Sequence, residues 1–286
     1  MSGIGEKEGN NLNIARVFPR ITNATPLDDY TFFEPPGMFL PPIDEVHVSV
    51  AFTYDIPKAE LLARQWETIA PVKIGGPAMN EPGGEFEPGM YLKPGYVITS
   101  RGCPNNCWFC SVPKREGKGI RELKIKEGNN ILDDNLLACS DHHIKGVFKM
   151  LEDQQYGQPI FTGGLEAAIL KDWHAERLFK LKPKSLFFAY DTPDDYEPLV
   201  KAGRKLLNAG FTTASHTLRA YVLIGYPKDT FEKAEARLRQ TVAAGFFPMA
   251  MLYRNKAGEV SRKWVSFQRL WANPFIVATN IKRGVG

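Results

Sequence analysis

From Tyr96 onward one pattern recurs: an apolar run the length of a strand, then an amphipathic stretch long enough for a helix. The runs are Tyr96-Val-Ile-Thr, Asn130-Ile-Leu-Asp-Asp-Asn, Pro159-Ile-Phe-Thr-Gly-Gly, Ser185-Leu-Phe-Phe-Ala-Tyr, Leu218-Arg-Ala-Tyr-Val-Leu-Ile-Gly and Phe247-Pro-Met-Ala-Met-Leu-Tyr. Between them, helical spacing covers 144–152, 170–178, 196–208 and 231–244, and Gly210 and Gly245 end the last two. Strands that are almost wholly apolar must be covered on both faces. Alternation with helices therefore predicts a parallel sheet. One interval breaks the pattern. Between Cys110 and Asn130, Lys114-Arg-Glu-Gly-Lys-Gly reads as a basic loop and Ile120-Arg-Glu-Leu-Lys-Ile as a short strand, so the first crossover is shortened.

The region before Tyr96 is a smaller version of the same idea. Residues 1–12 are polar and read as a flexible start. Asn13-Ile-Ala-Arg-Val-Phe is a short strand, and a proline-punctuated stretch to Pro42 is irregular. Glu45-Val-His-Val-Ser-Val-Ala-Phe-Thr alternates as a strand does. Pro57 opens a helix that carries Leu61, Leu62, Trp66 and Ile69, and Val72-Lys-Ile-Gly-Gly is strand then turn. The expected organisation is a β-α-β, Rossmann-like lobe over 1–94 that includes a Gly/Pro-rich linker from Glu81 to Pro94. The alternating domain follows over 95–255, then a basic and aromatic tail over 256–286. A chain of 286 residues with 43% hydrophobic content can bury a main core and a smaller one.

The end of the first run carries the chemistry. Cys103, Cys107 and Cys110 lie at C-x3-C-x2-C spacing among Gly102, Pro104 and two asparagines, residues that place them on a tight loop. Structural zinc and a fully ligated iron–sulfur cube each want four ligands. This loop offers three, and the remaining cysteine, Cys139, is distant in the chain. Three thiolates on a four-iron cube leave one iron open to a small molecule; zinc and a structural cluster stay open as alternatives.

This motif after a first strand, with Phe109 just before the last cysteine, resembles that of the radical S-adenosylmethionine (SAM) enzymes. The six β-α units resemble the partial (β/α)6, TIM-like barrel of that family. The resemblance implies a [4Fe-4S] cluster on Cys103, Cys107 and Cys110, SAM bound to its open iron, and a 5′-deoxyadenosyl radical that takes hydrogen from a substrate. It also implies an electron donor such as a flavodoxin or ferredoxin. The first lobe resembles a shortened cobalamin-binding domain. It lacks the Asp-x-His-x-x-Gly segment that ligates cobalt, and His47 lies mid-strand.

In parallel α/β folds the site forms at the carboxyl ends of the strands. Those ends carry Asp133, Asp134 and Asn135, where the family holds the SAM amino group; the same residue types also cap helices. Glu166 follows Gly163-Gly164 and is expected on the substrate side. Asp191 is expected at the SAM ribose, Gly225 beside adenine, and Arg219 at the SAM carboxylate or on the surface. Cys139 reads as a small buried residue, with transfer of hydrogen to a substrate radical as its rival role. Asp141-His142-His143 reads as the polar start of a helix rather than a metal site, and His174 and His216 as structural or solvated.

In the tail, Arg254, Lys256, Arg262, Lys263, Arg269, Lys282 and Arg283 are interleaved with Trp264, Phe267 and Trp271. This mixture can grip nucleic acid, but aromatics at i, i+3 and i+7 also make one packing face of a helix, the preferred reading. A net charge of +4 permits an anionic substrate without implying nucleic acid. No apolar stretch is long enough for a membrane span. The polar start and the clustered thiols lead to the expectation of a cytoplasmic protein. The rival in another class is a zinc-stabilised nucleic-acid-binding protein without catalysis.

Overall fold

The computed structural model describes residues 12–255, 257–272, 277 and 279. Most of the start expected to be flexible lies outside these residues, as do Lys256, Lys282 and Arg283 of the tail. The chain is α/β and forms two compact units. The first comprises residues up to Glu81 with Gly89–Lys93; the second comprises Pro82–Pro88 and everything from Pro94.

The first unit is a four-stranded parallel sheet built from β1 (Ile14–Val17), β2 (Thr31–Phe32), β3 (Glu45–Ser49) and β4 (Val72–Gly75), in spatial order β2-β1-β3-β4. Helix α1 (Ile56–Trp66) begins with Pro57 in its first turn, where a missing N–H costs nothing. Its Ala59, Leu62 and Trp66 join Ala15, Val17, Val46, Val48 and Val50 in one core. Trp66 is fully buried beside Phe32, and its indole N–H donates to the Glu34 carbonyl at 3.1 Å. The stretch expected to be irregular therefore contributes a strand, β2. It is only two residues long, too short to carry a period. His47, mid-strand in β3, has Nε2 3.1 Å from Glu45 and Nδ1 2.5 Å from the Tyr91 hydroxyl.

The second unit holds six parallel strands: β5 (Tyr96–Val97), β8 (Asn130–Ile131), β9 (Ile160–Phe161), β10 (Ser185–Ala189), β11 (Leu218–Ile224) and β12 (Phe247–Leu252). Their spatial order, β12-β11-β10-β9-β8-β5, follows the chain without a skipped neighbour. Between them run α3 (Asp141–Asp153), α4 (Asp172–Lys180), α5 (Tyr196–Asn208) and α6 (Phe231–Ala243). Ile144, Val147, Phe148, Leu178, Leu199, Leu206 and Leu238 turn inward onto Ile131, Phe161, Leu186 and Phe188. The interval after β5 is remodelled, as its sequence suggests. Strand β6 (Ser100–Arg101) pairs antiparallel with β7 (Arg121–Glu122), and α2 (Val112–Arg115) makes one turn between them. That turn corrects the reading of a loop from Lys114; Pro113 at its start disguised it.

Helix α7 (Arg262–Ala272) packs on β12 as the tail's aromatic spacing anticipates. Trp264 and Phe267 lie 4.4 and 5.3 Å from the Phe231 ring, Trp271 is buried, and the Arg239 guanidinium sits over Trp271. No helix among the described residues is long and apolar enough to cross a membrane.

Candidate metal centre

The cysteine loop leaves β6 through Gly102, whose φ is +90°. A Cβ there would stand 2.1 Å from the Gly119 carbonyl oxygen, so only glycine lets the loop close onto the return strand. The Gly102 N–H donates to Asp134 at 2.9 Å, and Arg115 bonds the other Asp134 oxygen at 3.1 Å. The Cys110 N–H donates to the Cys107 carbonyl at 3.0 Å, a tight turn between the last two cysteines. All four cysteines are free. Burial and the neighbouring Cys110 and Cys103 push the Cys107 thiol up to about 11, with Asp191 and Asp195 adding to the effect. Burial and Cys103 also raise Cys110. Charge on one of these thiols disfavours charge on the others, and a bound cation would relieve that opposition.

Asp133 is 1% exposed and lies beneath the loop. It accepts the Thr99 N–H and the Thr99 and Ser100 hydroxyls, each at 2.6 Å. Burial raises this carboxyl against those hydrogen bonds, which pull it down. Asp133 thus braces the strand that carries the cysteines. Asn135, 4% exposed, reaches the loop directly. Its Nδ2 lies 3.5 Å from Cys103 Sγ and 2.5 Å from Glu166 Oε2, while its Oδ1 is buried without a partner. Asn135, Glu166 and Cys103 are therefore brought together. Gly163, expected to let backbone approach a ligand, instead lets β9 approach Asp133: an added Cβ would lie 2.3 Å from the Asp133 carbonyl.

Asp191 follows β10 and accepts the Leu223 N–H at 3.1 Å. Burial, with help from Asp195, lifts it to about 7. Its place just past the carboxyl end of β10 puts it at the same end of the sheet as the cysteine loop. Gly225 follows β11, donates to Asp229 at 2.8 Å and lies against Trp264. Arg219 does not join them. It is the second residue of β11, at the amino end, where its Nε donates to the His216 carbonyl and its guanidinium covers Phe187. Parallel strands put all carboxyl ends together, so Arg219 lies at the opposite end of the sheet from the cysteines.

Three features went unread in the sequence. Trp108, inside the loop, has Phe109 edge-on at 5.3 Å and reaches Tyr226 and Tyr253, each at 5.7 Å. The loop after the first strand of the sheet thus meets the ends of the last two. Glu116 is nearly inaccessible and takes Arg115 and Arg121 at 2.9 Å and the Gly83 N–H at 3.2 Å. Thr99 and Ser100 have no local signature; only the distant Asp133 gives them a role.

No family model matches the chain. No curated protein matches it in sequence either. The site therefore stands on its own geometry: three free thiols on one short loop, an amide bonded to one of them, and two half-buried carboxyls, Glu166 on that amide and Asp134 on Gly102.

Proposed function

We propose that this chain is a radical SAM enzyme, a partial (β/α)6 barrel that holds one [4Fe-4S] cluster on Cys103, Cys107 and Cys110. The observation that carries this reading is the cysteine loop itself. Three free thiols near enough to oppose one another's ionisation sit at the carboxyl end of the first strand of a sequentially ordered, six-stranded parallel sheet. The meeting of Trp108 with Tyr226 and Tyr253 supports a sheet that curls toward closure. A trio of thiolates suits a cluster with one open iron better than structural zinc, which takes four ligands.

A [4Fe-4S] cluster held by Cys103, Cys107 and Cys110 would supply the electron for reductive cleavage of SAM. The chain's own residues hold and orient. Asp133 fixes Thr99 and Ser100, and with them the start of the loop. Asp134 and Arg115 anchor Gly102. Asn135 donates toward Cys103 Sγ, a bond that orients the sulfur and stabilises its charge, and its free Oδ1 accepts from the SAM ammonium. Asp191, lifted to about 7, accepts from the ribose hydroxyls. Phe109, Trp108, Tyr226 and Tyr253 shield this mouth from water, and Gly225 lies beside the adenine side. Glu166, bonded to Asn135, faces the substrate. The reductant is a small acidic carrier of the flavodoxin or ferredoxin kind.

The binding-protein reading has less support, because the aromatics that would stack bases are committed to packing: Trp271 is buried and Trp264 and Phe267 lie on Phe231. Anaerobic reconstitution, an iron count and an assay for 5′-deoxyadenosine with SAM and dithionite test the proposal. A brown, iron-bearing chain that releases 5′-deoxyadenosine supports it. A colourless chain holding zinc overturns it.

A further inference from the structure

Below the cysteine loop lies a second cluster of metal-ligating side chains, of which the proposed chemistry uses only Asp133, as a brace for the strand. Asp133, Cys139 and His143 are 1%, 8% and 6% exposed, and one ligand atom from each lies within 4.8 Å of the other two. We propose that these three residues form a structural site for a zinc-type divalent cation. All three come from one connection. Asp133 follows β8, Cys139 closes a short helical turn over Leu136–Ala138, and His143 stands in the first turn of α3. The Cys139-x3-His143 spacing puts sulfur and imidazole on one side of the helix start. Ser140 locks that start by accepting the His143 N–H at 3.2 Å.

The donor chemistry selects the metal class. One thiolate, one imidazole and one carboxylate oxygen form a mixed, borderline-soft set of the kind zinc takes in four-coordinate sites. Thr99 Oγ1 lies 3.3 Å from His143 Nε2 and also bonds Asp133, so it stands where a fourth oxygen donor belongs. The surroundings match what metal ligands need from their neighbours. Glu122 Oε2 lies 3.8 Å from the other ring nitrogen, Nδ1, and Thr99 and Ser100 bond the carboxylate of Asp133. A cation here ties the β8–α3 connection to Thr99 and Ser100, the strand end from which the cysteine loop departs. The site stands whether or not the loop holds a cluster.

The test uses the full, untagged chain with Cys103→Ala, Cys107→Ala and Cys110→Ala together, which removes the loop thiols. Grown with zinc and dialysed against a weak chelator, this variant is expected to keep about one zinc per chain. Adding His143→Gln or Cys139→Ala is expected to remove it. Cobalt in place of zinc is expected to show a sulfur-to-metal charge-transfer band that Cys139→Ala abolishes. Should the triple variant not fold, the wild-type chain carries the test: His143→Gln then lowers the zinc count by one while loop iron persists. A folded triple variant without zinc or cobalt overturns the site, and so does zinc that survives both added substitutions. Failure of the radical reading shows separately, as missing iron and missing 5′-deoxyadenosine.

Discussion

The two units share one design, parallel strands under helices, yet they use their polar side chains differently. In the first, charged groups tie the chain to itself: Arg16 bonds Asp28 and the carbonyls of Gly89 and Met90, and Arg20 grips Asp55 through two hydrogen bonds. Its core is a valine, alanine and tryptophan cluster. In the second, polar groups at the carboxyl strand ends point at one another around three thiols, and one amide oxygen is buried unpaired. A buried unpaired acceptor costs about 1–3 kcal/mol. The first unit carries the same cost at Gln65 Oε1, so what sets Asn135 apart is its place: its Nδ2 lies 3.5 Å from Cys103 Sγ.

The sharpest attempt to break this contrast is Cys107→Ala, which is expected to abolish iron binding and 5′-deoxyadenosine release together. His47→Ala, which removes a strand histidine of the first unit, leaves both in place. Iron titration and product assay on the two variants decide it. Next in size is Trp66→Ala. The fully buried indole should cost the first unit about 3–5 kcal/mol, read by urea unfolding followed by circular dichroism. Asn135→Ala comes third. It removes the bond to Cys103 Sγ and is expected to lower cluster affinity or SAM cleavage by about 10–100-fold without unfolding the chain.

The smallest effect is a pH dependence. His174 is buried, its Nδ1 accepts the Lys171 N–H, and its Nε2 has no partner. Burial and the Lys171 ammonium lower its pKa from 6.5 to about 4. Between those values the unfolded imidazole binds a proton that the folded one refuses, so stability falls as pH drops from 6.5 toward 4. His174→Gln should flatten that part of the stability profile, measured as melting temperature against pH.

What could be read from the sequence follows the range of the interactions. Helix α5 is legible at both ends, since apolar residues at helical spacing run to Asn208 and Gly210 stops them. Helix α3 starts at Asp141, as the polar Asp141-His142-His143 ahead of the apolar spacing suggests, and Ser140 caps it. Strands β8 and β9 pair over two residues each, fewer than their apolar runs suggest. At the site, the loop and its carboxyl neighbours are visible from order along the chain. Which of Asp133, Asp134 and Asn135 braces the strand, which holds Gly102 and which reaches sulfur depends on partners more than thirty residues away. Of the two places open to Arg219, the SAM carboxylate or the surface, its position as the second residue of β11 favours the one away from the cysteine loop.

Trp108 has a consequence for how such a protein is made. Its ring rests on Tyr226 and Tyr253, so the loop is held by segments synthesised well after it. A nascent or truncated chain that ends before β11 would present its thiols on an unpinned loop. Any centre these thiols hold would therefore be inserted once β11 and β12 have arrived to hold the loop in shape.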